Sequence, residues 1–224
     1  MAKLLCFICP SFIAYDVLKR LQVNDEMAFF NFMRAVAGQT GRIVNYAELA
    51  KSAEISAPTA KQWVKILEDI GIVYMLQPFM PPGSKYIVKA PKLYFCDTGL
   101  AAYLTSWNDA DALENGAMSE EFLSTWIVME IYKSYSNQGK RPPIYYLRNF
   151  NGKEINLIIY ESGIAYPFMI KKSSYPQKII KIFAILEPVA KDANFIIGSG
   201  GIICFSDEVL PAAKNINYIP VYMI

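Results

Sequence analysis

Residues 45–79 read NYAELAKSAEISAPTAKQWVKILEDIGIVYMLQPF. Asn45 precedes a short helical stretch, Tyr46 to Ala53, and Ser56 precedes a longer one with Pro58 in its first turn. Both sit where a short polar side chain caps the exposed amide groups of a helix start. Gly71 falls just past the longer stretch, at the position where a left-handed residue ends a helix. Ala60, Trp63, Val64, Leu67 and Ile70 recur there in steps of three and four, which is the stripe of a helix with one buried face. Only Glu54 to Ser56 separate the two helices.

On the far side, IVYMLQPF reads as a strand, MPPGS as a turn and KYIVKAPKLYFCD as a second strand region. Upstream, Asn24 and Asp25 are caps for EMAFFNFMRAVAG. Met27, Phe30, Met33 (or Arg34) and Ala37 are its expected apolar stripe, and Gly38 its stop. Three helices, a tight turn between the second and third, and a hairpin make the pattern of a winged helix over residues 24–96. That fold would turn Thr59, Lys61, Gln62 and Lys65 outwards toward a major groove, with Glu68 and Asp69 nearer the helix end. The wing would carry Lys85, Lys89 and Lys92 to the phosphates. The competing reading is a packing module whose lysines are merely solvated. Duplex DNA and a protein are therefore the two candidate partners.

Composition limits the chemistry. Of 224 residues 54% are hydrophobic and 19% charged, so the chain can build cores. A net charge of +2 means that any basic patch is local. Histidine is absent, which excludes Ser-His-Asp and Cys-His catalysis and His-bearing zinc sites. Cys6, Cys9, Cys96 and Cys204 do not form a disulfide framework and fit a reducing compartment. The Cys6-Phe7-Ile8-Cys9 run lacks a matching half-site and reads as two apolar thiols. Residues 1–23 begin with an apolar run broken by Pro10 and too short to span a bilayer. They read as an arm or helix packed on the body, and the expected location is the cytoplasm.

Residues 97–118 read as a connector, with Asn108 to Asn115 as its loop. A second domain is expected over 119–224. It opens with a long helix that has Ser119 as cap and Gly139 after its end. Strands follow at Ile144 to Phe150, Lys153 to Tyr160 and Ile164 to Lys171, and the Asn151-Gly152 pair is a strong hairpin signal. A helix is expected from about Tyr175 to Lys191, then strands at Asn194 to Gly198 and Ile202 to Phe205. Gly198-Ser199-Gly200-Gly201 reads as the hairpin turn between them. The tail YIPVYMI adds a further strand. The fold class is α/β (α+β), a winged helix followed by an αβββαβ domain.

Three stretches carry a family resemblance: GQTGRIVNYAELAKSAEISAPTAKQWVKILEDIGIVYML, KAPKLYFCDTGLAAYL and GKEINLIIYESGIAYPFMIKKS. From about Tyr15 onward the chain resembles the C-terminal two-thirds of bacterial AAA-type ATP-binding proteins that carry domain-of-unknown-function family 4143. The resemblance implies an ATPase module, then a winged helix, then a domain similar to PD-(D/E)XK (restriction-endonuclease-like) nucleases. No GxxxxGK[ST] occurs in this sequence, so ATP is not an expected ligand and the reading frame reads as truncated within a longer ancestral gene.

The same resemblance locates a nuclease site and shows it altered. The family's second-strand acid falls on Asn156, its third-strand Glu on Met169, and its helix Glu on Ser124, within Phe122 to Ile131. Lys171 keeps the lysine position. Asn offers one neutral oxygen and Met a soft thioether, poor ligands for a hard cation such as Mg²⁺. Glu154, on the face of Asn156, is the one acid that could partly rescue such a site. Expected here is a pseudoenzyme with no metal, cofactor or catalytic residue. Lys171 and Lys172, with Lys178 and Lys181, remain candidates for phosphate contact.

Overall fold

The computed structural model describes residues 25–83, 87–107 and 109–224. The chain forms two compact units, each drawn from two stretches of the sequence. Unit 1 holds the described residues up to Met75 together with Leu93–Thr125, and unit 2 holds Leu76–Lys92 and Trp126–Ile224. The architecture is mixed α and β, as the patterning predicts.

Unit 1 opens with α1, Glu26–Gly38, started by the Asp25 carboxylate, which accepts from the Ala28 amide at 2.9 Å. The helix buries Phe29, Phe32, Met33, Val36 and Ala37, and leaves Met27 and Phe30 exposed. This corrects the expected stripe. The run is apolar at nearly every position, so two helical phases compete, and the observed one adds Phe29, Phe32 and Val36 to the core. Strand β1, Arg42–Ile43, precedes α2, Tyr46–Ser52, and α3, Ala57–Asp69. Asn45 and Ser56 cap the two helices as their positions predict, accepting from the Glu48 and Thr59 amides. Ala60, Trp63, Val64 and Leu67 turn inward, and the Trp63 ring meets Phe29 and Phe32 edge-on at 5.3 and 5.2 Å.

Strands β2, Val73–Leu76, and β3, Lys92–Phe95, complete a three-stranded sheet in the order β1-β3-β2. Sequence reading missed β1, a strand too short to carry an alternating pattern. The buried Thr40 hydroxyl accepts from the Phe95 amide at 3.0 Å and lies 2.9 Å from the Thr125 hydroxyl. Thr125 spends its proton on the Glu121 carbonyl, so Thr40 is the donor to Thr125.

The connector holds helices, one of them over most of the stretch expected as its loop, Asn108 to Asn115. It contains α4, Thr98–Leu104, and α5, Ala110–Asn115, capped by the Asp97 and Asp109 carboxylates, each 2.7 Å from its amide. Ala101 and Leu104 are buried in the same core as Trp63. The acids that suggested a loop are helix starts.

Helix α6, Ser119–Ser136, begins in unit 1 and continues into unit 2. Strands β4, Ile144–Arg148, β5, Glu154–Glu161, and β6, Ile164–Ile170, follow as an antiparallel meander. Gly152 has φ +79°, and Ser162 and Gly163 have φ 51° and +78°, the left-handed backbone that tight hairpin turns require. A 3₁₀ segment, Ile180–Ile185, leads into α7, Leu186–Ala193. One continuous helix from Tyr175 is thereby corrected. Pro188 has no N–H for the Ala184 carbonyl and its ring would collide there, so the α-helix starts late enough to place Pro188 in its first turn.

Strands β7, Ile196–Ile197, and β8, Gly200–Cys204, both run parallel to β6. Gly198 to Gly201 therefore does not reverse the chain, contrary to the hairpin expectation. Glycine is needed for close approach instead: a Cβ on Gly201 would stand 2.5 Å from Ile219 and 2.9 Å from Phe168. Strands β9, Leu210–Ala213, and β10, Ile216–Pro220, end a sheet ordered β4-β5-β6-β8-β10-β9, and β9 was not foreseen. Residues 1–23, with Cys6 and Cys9, lie outside the described residues.

Candidate nucleic-acid face and candidate acidic site

Unit 1 offers the outward face of α3. Lys61, Gln62 and Lys65 are exposed and Thr59 is half-buried. The Thr59 hydroxyl lies 2.6 Å from that of Ser56, so it belongs partly to the helix cap. Lys65 is paired locally, at 2.7 Å with Asp69 and 3.5 Å with Glu68. The Asp69 hydrogen bond, followed by the charges of Glu68 and Asp69, raises its pKa above the ordinary lysine value. Lys61 has no ion pair among the described residues. α2 ends at Ser52, and four residues, Ala53 to Ser56, join it to α3, with Glu54 at φ 54°.

The wing lysines are placed differently. Lys85 lies outside the described residues, and Lys89 is exposed in unit 2. Lys92 was expected to meet phosphate. It is instead only 5% exposed, with its Nζ 2.5 Å from Glu154 Oε1 and 5.6 Å from the centre of the Tyr146 ring. The physical reason lies in the preceding segment, which packs into the core of unit 2 through Phe79 and Ile87.

Of the four positions that the resemblance picks out, Ser124 lies in unit 1, on α6, where its hydroxyl is buried without a hydrogen-bond partner among the described residues. The other three lie in unit 2. Pairing of β5 with β6 reaches Leu157–Phe168, and Asn156 and Met169 are the next residues on the two strands. Asn156 Oδ1 accepts from the Ile170 amide at 2.9 Å, so the oxygen that could face a cation closes the end of this ladder. Asn156 Nδ2 donates to Glu154 Oε1 at 3.3 Å. Met169 is 3% exposed, in one core with Phe183, Leu186 and Ile202. Lys171 follows β6 half-buried, its amide bonded to the Ile203 carbonyl.

Glu154, the acid that could rescue the site, has both oxygens engaged. Lys92 and Asn156 reach Oε1, and Arg148 approaches Oε2 at 3.4 Å. Among the described residues no three Asp, Glu, Cys or His side chains gather where they could hold a metal ion. A divalent cation does not fit this donor set: one amide oxygen is committed, one thioether is in the core, and one carboxylate already faces two cations. Lys92 and Arg148 around Glu154 are what sequence reasoning missed, and a separation of 62 positions left no local signal for the first.

With this geometry defined, two family models can be set against the chain, one after the other. Residues 9–111 match the Domain of unknown function (DUF8612), and residues 119–224 match the Domain of unknown function (DUF4143). Uncharacterized proteins of Mycobacterium tuberculosis and Mycobacterium bovis are each 31% identical over 140 residues. The match takes in 61% of this chain and 30% of each relative, so the chain spans under a third of their length. No solved structure matches significantly. Among the described residues no helix is long and apolar enough to cross a membrane.

Proposed function

We propose that this chain is a non-catalytic nucleic-acid-binding protein. Unit 1 acts as a winged helix that contacts duplex DNA, and unit 2 is a PD-(D/E)XK-like domain without hydrolytic chemistry. The observation that carries the DNA reading is α3. It buries Ala60, Trp63, Val64 and Leu67 while presenting Lys61, Gln62 and Lys65 to solvent, as a helix laid in a major groove must. The order helix, strand, helix, helix, two strands, with β3 central, supports the winged-helix assignment. In unit 2, the long helix, three-strand meander, helix and parallel strand beside β6 support the nuclease-like assignment. On this reading the two units are modules of the kind that accompany an ATPase in AAA-type ATP-binding proteins.

The test is anisotropy of a labelled duplex across a salt series. Binding should weaken as salt rises, because lysines release counterions from phosphate. The Lys61→Ala, Lys65→Ala double variant should lose it, and a double variant that binds like the parent overturns the assignment. With Mg²⁺ or Mn²⁺ present, plasmid should stay intact. Nicking that disappears in Lys171→Ala would refute the non-catalytic reading.

A second reading has its own observation. Lys65 is matched by Glu68 and Asp69, and Lys92 is buried against Glu154, so two of the expected lysines are already neutralised. Unit 1 would then be a protein-packing module. Salt-independent failure to bind any duplex favours it.

A further inference from the structure

The segment Leu76–Lys92, which a winged helix would hold out as a free wing, is fastened to the sheet of unit 2 at described residues on both of its limbs. On its outgoing limb, Pro78 bridges Tyr146, and the Phe79 amide donates to the Tyr146 carbonyl at 2.6 Å. The Phe79 ring packs against Tyr145, Tyr160 and Phe195 with centroids 5.7, 5.1 and 5.3 Å away. On the return limb, Ile87 bridges Asn149, the Val88 amide donates to the Arg148 carbonyl at 2.9 Å, and Tyr146 donates its hydroxyl to the Ala90 carbonyl. The last residue of the segment is Lys92, with its ammonium on Glu154. These side chains are only 6% and 15% exposed.

An isolated carboxylate at that depth would demand a cation. Lys92 meets the demand from within the chain. The carboxylate it meets, Glu154, lies on the same strand as Asn156 and two residues before it, and Asn156 is the position where the resemblance places a metal-binding acid. We propose that Lys92 is a built-in counter-cation. Its ammonium fills the cation-accepting position at Glu154, excludes a divalent ion from unit 2 and latches Leu76–Lys92 onto the sheet. The inference rests on the non-catalytic reading of unit 2 and explains what replaced the ion. The direction of charge supports it. Asn156 Nδ2 lies 3.3 Å from Glu154 Oε1, so Asn156→Asp would set two carboxylates side by side, a pair that binds a cation only where no lysine has already done so.

The experiment uses the full chain and Mn²⁺ as probe, with free Mn²⁺ read by electron paramagnetic resonance and the latch read by amide hydrogen exchange. The parent and Asn156→Asp should take up no Mn²⁺, whereas Lys92→Met with Asn156→Asp should bind it. Peptides over residues 76–92 should exchange at least about tenfold faster in Lys92→Met than in the parent. Lys92→Arg should keep their protection, and peptides over residues 57–69 should not change. Should the double variant fail to fold, exchange in Lys92→Met alone decides. Equal Mn²⁺ binding with and without Lys92, no binding by a folded double variant, or unchanged exchange in Lys92→Met overturns the proposal. A parent that cuts plasmid undoes the non-catalytic reading. A parent that does not cut, with variants indistinguishable from it, undoes this inference alone.

Discussion

Two lysines of this chain hold carboxylates in opposite ways. Lys65 meets Asp69 one helical turn away, and the two side chains are 63% and 58% exposed. Lys92 meets Glu154 across 62 positions, in a setting nearly closed to water. An exposed pair between near neighbours is screened and replaceable, and it leaves both groups open to outside ligands. A buried pair between distant segments is part of the tertiary structure, because removing either partner strands a charge in a poor solvent. One pair decorates a surface that can still be used, and the other uses up the groups it joins.

The largest effect should come from breaking the buried pair on one side. Lys92→Met or Glu154→Gln should each cost about 3–5 kcal/mol of unfolding free energy. Urea denaturation would reveal this, and a loss no greater than that of a surface variant would erase the contrast. Next comes a steric perturbation of unit 2. Gly201→Ala drives a Cβ against Ile219 and Phe168 and should cost about 1–3 kcal/mol, readable as a lower thermal midpoint. The side chain of Ile219 can swing away, which keeps the cost below that of a stranded charge. Lys65→Ala should leave the urea midpoint where the parent has it, because its ion pairs are screened by water, so any loss of duplex affinity it causes is a binding effect.

The smallest effect concerns pH. Since its partners raise the Lys65 pKa in the folded state, its contribution is fully present below the ordinary lysine value and fades only as pH climbs through the raised one. Parent and Lys65→Ala should therefore keep a constant stability difference between about pH 6 and 9. A difference that varies in this range would show that another group is involved.

How legible each region was follows the same contrast. Features set by neighbours in sequence could be read: the caps at Asp25, Asn45 and Ser56, the Asn151-Gly152 hairpin, and the outward set Lys61, Gln62 and Lys65. The phase of α1 could not, because Met27, Phe29, Phe30, Phe32 and Met33 satisfy two stripes and only packing on Trp63 selects one. Residues 108–115 looked like a loop because acidic caps and acidic loops share a composition. The glycines at 198–201 looked like a turn, since crowding by Tyr166, Phe168 and Ile219 arises from other strands. At the positions that the resemblance picks out, the residue types were legible but the environment was not. Residue types at 156 and 169 are local facts, while the arrival of Lys92 beside Glu154 depends on where a remote segment docks.

The two outer strands of the large sheet have a further consequence. β4 is overlain by the chain's own residues at Pro78 and Ile87, and β9 is four residues long and carries Pro211. An uncovered, regular rim invites a neighbour's strand, while short strands and prolines discourage it. Both margins of this sheet are thus blunted against edge-to-edge polymerisation, and concentrated solutions should stay free of fibrils for as long as the segment over β4 keeps its place.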